Sequence, residues 1–299
     1  MITPHTLSIP GVDLVYDVHG PAPTRNGTPP LLMIGEPMDA GGFSALASHF
    51  PERTVVTYDP RGIGRSTRSD GRVDHDPVVQ AEDLHRLIAA LDAGPVEMFA
   101  SSGGAVTALA LVAAHPTDVR LLVAHEPPIL GMLPDREAAE RAMGQVLAAY
   151  RAGGTGAGMA AFIAMTSWPG EFTREYFDRP APEPAQYGLP AEDSGARDDP
   201  LLSGRSAAVT AQLPDVAALA ASPTRIVVAV GEESRGLLAA RCAAVLAERL
   251  HQQPTVFPSH HGGFVGGDHP FAGQPEAFAR RLRAVLGALG GTSGVPDES

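Results

Sequence analysis

The stretch Phe99-Ala100-Ser101-Ser102-Gly103-Gly104-Ala105-Val106-Thr107 ends a short apolar run and opens an alanine-rich helical pattern. Strand, sharp turn and helix in that order read as a nucleophile elbow centred on Ser102. So tight a turn needs small residues two before and two after the nucleophile, because a larger side chain would collide with the chain folding back. Ala100 and Gly104 meet that need, with alanine where the G-x-S-x-G form has its first glycine. A phosphate-cradling loop would require Lys-Ser or Lys-Thr after its last glycine, and Ala105-Val106 follows instead. A dinucleotide fingerprint would lie near the first strand, whereas Ser102 stands a third of the way along the chain.

Outward from the elbow, short apolar runs at 31–34, 54–58, 96–99, 121–124 and 226–230 end in turn or charged residues, as buried parallel strands do. Helical patterns at 79–91, 105–114 and 236–250 are long enough to serve as crossovers between them. The alternation predicts a doubly wound, mostly parallel α/β sheet. Leu7-Ser8-Ile9 and 12–18 alternate about Pro10-Gly11, which predicts an opening antiparallel hairpin. The repeat breaks between Pro127 and Pro223, so the expected organisation is a core of residues 1–126 and 224–290 with an inserted, largely helical cap at 127–223. A last unit runs from Thr255-Val256-Phe257 through a histidine- and glycine-rich loop to a helix over 275–289, and the tail 291–299 is expected to be disordered.

With 299 residues, 44% of them hydrophobic, the chain can bury a large core. A net charge of −12 argues against nucleic acid or an anionic membrane as partner. The single cysteine, Cys242, rules out an intrachain disulfide framework or a cysteine zinc site and reads as a buried thiol. The N-terminus lacks a basic region followed by an apolar core, and no run of about 18 apolar residues occurs. A cytoplasmic protein is expected.

A serine hydroxyl is a poor nucleophile near neutral pH, so Ser102 needs a histidine base supported by a carboxylate. Of the 11 histidines, the best placed lie in Phe257-Pro258-Ser259-His260-His261-Gly262-Gly263-Phe264, directly after the last expected strand. The elbow, the segment Asp59-Pro60-Arg61-Gly62-Ile63-Gly64-Arg65-Ser66 and this late loop together resemble the α/β-hydrolase family, over roughly Leu14 to Leu286 apart from the cap. In that family the late loop takes the form F-P-x-x-H-x-G-F, which implies His261 as the base and leaves His260 as a neighbour that packs or hydrogen-bonds. The turn at 59–66 is implied to brace the sheet edge.

The acid departs from the commonest family pattern, because Gly231 is followed by Glu232-Glu233-Ser234 with no aspartate. A subset of the family carries the acid one strand earlier, and Leu121-Leu122-Val123-Ala124-His125-Glu126-Pro127-Pro128 offers Glu126 there. A glutamate closing a buried strand is costly unless paired, and ligands gather at that edge of such sheets. Glu126 is therefore the expected acid, with Glu232 or Glu233 as the alternatives.

The resemblance also implies an oxyanion hole built from the backbone N–H of Gly103, at the positive end of the following helix, and that of Glu36 in Gly35-Glu36-Pro37-Met38. Pro37 has no N–H to give. The Glu36 carboxylate would oppose an oxyanion unless it points away or is paired. Bulky cap residues suggest an apolar pocket, for which Met38, Trp168 and Phe162 are candidates, although a helical insert needs such residues for its own core.

The resulting expectation is a serine hydrolase opening a small apolar ester or lactone through an acyl-enzyme, with no cofactor and no metal, and with a homodimer left open. The Ser-Ser-Gly elbow and His-Glu-x-Pro string also resemble enzymes that open macrocyclic resorcylic lactones such as zearalenone. A carbon–carbon bond hydrolase or cofactor-free haloperoxidase would use the same constellation, and a non-catalytic receptor on this fold would keep only the pocket. Haloalkane dehalogenases and epoxide hydrolases place an aspartate where this chain has Ser102.

Overall fold

The computed structural model describes residues 2–23, 27–268 and 271–288. Its strands are β1 (Ile2–Ile9), β2 (Val12–His19), β3 (Leu31–Glu36), β4 (Val55–Tyr58), β5 (Thr67–Arg68), β6 (Val96–Ser102), β7 (Val119–His125), β8 (Arg225–Gly231) and β9 (Thr255–Phe257). They form one sheet in the order β1-β2-β4-β3-β6-β7-β8-β9, with β5 paired to β2. The β1–β2 hairpin and the β2–β4 pairing are antiparallel, and every pairing from β4 to β9 is parallel. This is the doubly wound, mostly parallel architecture that the alternating runs predict.

The two sheet faces can be read from the alternation within single strands. Leu32, Ile34, Val56, Met98, Ala100, Leu122, Ala124 and Val228 join a cluster with α2 (Pro77–Leu91), α3 (Gly103–Ala114) and α8 (Leu238–Arg249). Leu31, Met33, Val55, Phe99, Leu121, Val123 and Val227 point the other way, against α1 (Ser44–Ser48) and α9 (Pro275–Gly287). Because both faces are covered, these strands carry unbroken apolar runs.

Between β7 and β8 lie α4 (Arg136–Thr166), α5 (Arg174–Phe177), α6 (Ala207–Ala211) and α7 (Val216–Ala221). A helical pattern in the sequence over Met132 to Tyr150 marks only the first part of α4. Gly154 interrupts it with φ 74°, a left-handed value that glycine alone adopts freely. The insert has its own core around Tyr150, Met165, Phe172, Tyr176 and Leu202. Arg241 of α8 ties it down through Asp135 and, at 2.7 Å, through the Gly170 carbonyl. Val209 of α6 and Leu219 of α7 instead pack into the sheet's own core. The tail 291–299 lies outside the described residues. Among the described residues, no helix is long and apolar enough to cross a membrane.

Candidate active site

β6 ends at Ser102 and α3 begins at Gly103 with no intervening loop. Ser102 takes φ 55° and ψ −130° to make that reversal, a conformation that costs an L-residue about 1–3 kcal/mol. A Cβ on Gly104 would lie 2.7 Å from Gly35 Cα, so only glycine lets α3 start this close to β3. Ser101 is buried and bonds His125 Nδ1 across 3.1 Å, whereas Ser102 is partly exposed. Of the two adjacent serines, Ser102 is the one a substrate can reach.

Strand register brings the carboxylate alongside. Ser101 pairs with His125, so Glu126 falls level with Ser102 at the carboxyl edge of the sheet. Its N–H donates to the Ala229 carbonyl at 3.0 Å, and its side chain has no solvent exposure. One carboxylate oxygen accepts the Gly231 N–H at 2.8 Å, and the other lies 2.6 Å from His261 Nδ1. Burial alone would push this carboxyl up. The hydrogen bond from His261, the nearby His125 and His261 charges and the Gly231 N–H together outweigh it and hold the group at about 2. Glu232 and Glu233 sit exposed on the turn after β8, where the Glu233 N–H donates to the Ser259 carbonyl at 3.1 Å.

With Nδ1 committed to Glu126, Nε2 is the His261 atom left for chemistry, and the side chain is 46% exposed. His260 serves the turn itself, accepting the Gly262 N–H at Nδ1 across 3.0 Å. Among the described residues, no hydrogen bond joins the Ser102 hydroxyl to His261. Such bonds commonly tighten only when substrate is present.

His125 and Ser101 lie beneath this edge and escape a motif search, because their roles depend on register. The His125 ring is 5.9 Å from that of His261 and is surrounded by Phe99, Phe257, Phe264 and Phe278. Burial drives it down to about 4, despite the raising effect of Glu126, so it is neutral at pH 7.

On the other side of Ser102, register pairs it with Glu36 of β3. A Cβ on Gly103 would meet both the Cβ and the carbonyl of Glu36 at 2.9 Å, so these two backbones are immediate neighbours. The Asp59 carboxylate anchors the loop that follows, accepting the Ala40 N–H at 3.0 Å and the Arg65 N–H and Nε at 2.7 Å. The Glu36 side chain turns inward, where it meets Gln80 Nε2 at 3.2 Å and His75 Nδ1 at 2.5 Å.

The three expected pocket residues separate. Met38 lines a cleft of about 480 Å³ with Pro37 and Gly42 from the loop after β3 and with Val265, four residues past His261. Trp168 instead packs within the insert, edge-on to Tyr176 with ring centroids 5.4 Å apart and beneath Arg179. Its indole N–H donates to the Glu171 carbonyl at 3.0 Å. Phe162 belongs to the same cluster. Both satisfy the insert's own need for a core.

The family model for the alpha/beta hydrolase fold matches residues 29–167, from β3 through α4. YraK of Bacillus subtilis (strain 168), an uncharacterized hydrolase, is 30% identical over 269 residues, covering 87% of this chain and 90% of YraK. The chain belongs to the alpha/beta hydrolase family. It is accordingly an enzyme, as the elbow led us to expect. A thermophilic esterase from Thermogutta terrifontis superposes with a TM-score of 0.61 at 23% identity, over 97% of this chain and 99% of the esterase. An alpha/beta hydrolase from Sphaerobacter thermophilus superposes with a TM-score of 0.59 at 20% identity, over 94% of this chain and all of that one. At these identities the two structures share the fold with this hydrolase.

Proposed function

We propose that this alpha/beta hydrolase cleaves carboxylic esters or lactones through an acyl-enzyme on Ser102. The observation that carries the reading is the 2.6 Å contact between His261 Nδ1 and the buried Glu126 carboxylate, level with the strained serine. Glu126 fixes the tautomer, so that Nε2 can take the Ser102 proton as Oγ attacks the carbonyl carbon. The resulting imidazolium returns that proton to the leaving oxygen. Water then attacks the acyl-enzyme with the same base and releases the acid.

The oxyanion of each tetrahedral intermediate takes hydrogen bonds from the N–H groups of Gly103 and Glu36, with Gly103 at the positive end of α3. The cleft at Met38 lies between the oxyanion loop and the His261 loop, and its lining of Met38 and Val265 beside Asp39 and Ser44 suits one arm of a substrate with both apolar and polar parts. Opening a lactone follows the same steps with the leaving oxygen tethered, and a macrocyclic substrate falls within this proposal. A cytoplasmic setting fits a lone buried thiol that burial pushes up to about 12.

A fluorophosphonate probe and a series of p-nitrophenyl esters and macrolactones test the reading. Native protein is expected to be labelled and to turn over at least one ester class, and Ser102→Ala to lose both. Labelling that persists in Ser102→Ala refutes it.

A further inference from the structure

Glu36 carries two opposed groups within one residue. In the mechanism proposed above, on which this inference rests, its N–H faces a developing negative charge, while its side chain is a carboxylate with no solvent exposure. A buried carboxylate is costly to leave unpaired, and here it would also destabilise the oxyanion directly.

The surroundings supply one histidine. His75 Nδ1 stands 2.5 Å from Glu36 Oε1, in a contact that is not a well-aligned hydrogen bond, and 3.0 Å from Ser206 Oγ. Its side chain is 2% exposed. The other carboxylate oxygen takes Gln80 Nε2 at 3.2 Å, and Gln80 Oε1 in turn accepts from Thr107 of α3 at 3.2 Å. Among the described residues, no arginine pairs with Glu36. Arg61 is spent on the buried Asp83, at 2.7 Å through Nε and 2.5 Å through Nη2. Tyr58 is a buried phenol raised first by burial and then by the charges of Glu36 and Asp83.

His75 is also held from the insert. Its N–H donates to the Arg205 carbonyl at 2.8 Å, and Ser206 passes a hydrogen bond on to the Pro200 carbonyl at 3.0 Å. The segment just before α6 therefore grips the same histidine that faces Glu36.

We propose that His75 is a positioning residue for the reaction: it balances the Glu36 charge behind the oxyanion hole and ties the oxyanion loop to the insert through Arg205 and Ser206. Removing the histidine leaves a bare carboxylate against the oxyanion, and removing both charges restores neutrality.

The test is a double-mutant cycle on a p-nitrophenyl ester, with kcat and KM measured separately for the native enzyme, His75→Gln, His75→Ala and Glu36→Gln/His75→Gln. The oxyanion exists only beyond the ground state, so the single His75 variants are expected to lose about ten-fold or more in kcat while KM stays within about three-fold. Adding Glu36→Gln is expected to recover most of that loss, whereas a merely structural role lowers the urea midpoint of the single variants and leaves kcat per folded enzyme near native. A double variant no faster than His75→Gln overturns the proposal. If the single variants fail to fold, a folded double variant with kcat within ten-fold of native supports it, and a slower or unfolded double variant overturns it. Native enzyme that a fluorophosphonate does not label refutes the serine mechanism instead, so the two failures are distinguishable.

Discussion

Replacing Glu126 with glutamine changes little in volume and can keep the acceptor for the Gly231 N–H, yet it should nearly silence the enzyme. The carboxyl is held at about 2 against an ordinary 4.5, which corresponds to about 3 kcal/mol favouring its ionised form in this setting. If the His261 imidazolium in the transition state draws comparable support from that charge, its removal slows the chemical step by about 10²-fold. The amide adds a second penalty. With its NH₂ facing His261 Nδ1, it favours the tautomer protonated at Nε2, which cannot accept the Ser102 proton, and the combined loss approaches 10⁴-fold in kcat. Initial rates on a p-nitrophenyl ester, measured beside Glu232→Gln and Glu233→Gln, check this. A Glu126→Gln enzyme within ten-fold of native, or a comparable loss in either control, refutes the assignment of the acid.

The neutral His125 makes stability pH-dependent. Its folded value of about 4 lies below the ordinary 6.5, so its contribution is complete above pH 6.5 and is lost as pH falls through 4. Urea midpoints at pH 7 and pH 5 should therefore fall by the equivalent of about 1–2 kcal/mol in the native protein, and the drop should shrink in His125→Phe. Arg61→Ala strands the Asp83 carboxylate, 1% exposed, without its fork partner and should cost about 3–5 kcal/mol by denaturant titration. Gly104→Ala drives a Cβ to within 2.7 Å of Gly35 Cα, so fluorophosphonate labelling of Ser102 should slow by more than ten-fold while the far-ultraviolet circular dichroism is kept.

Local pattern was enough for the chain's architecture. Apolar runs covered on both faces announce parallel strands, helical spacing between them announces crossovers, and Ala100, Ser102 and Gly104 announce a turn that only small neighbours permit. These signals lie within a few residues of one another, so a single sequence carries them. The short strand Thr67–Arg68, the helix Ser44–Ser48 and the far half of Arg136–Thr166 were not legible, because packing holds them where periodicity is weak.

The order of residues alone identifies the fold class, the elbow and the loop that carries His261. It left Glu126, Glu232 and Glu233 as rival partners for that histidine and gave no reason for a carboxylate at Glu36. Which groups meet depends on contacts made across the folded chain. Pairing of β7 with β8 buries Glu126 beneath His261, and packing of α2 on the sheet core beside β3 brings His75, just before that helix, to Glu36. The contacts join residues 135 and 39 positions apart. Their energies depend on distance and on exclusion of water, neither of which is written in the order of residues along the chain.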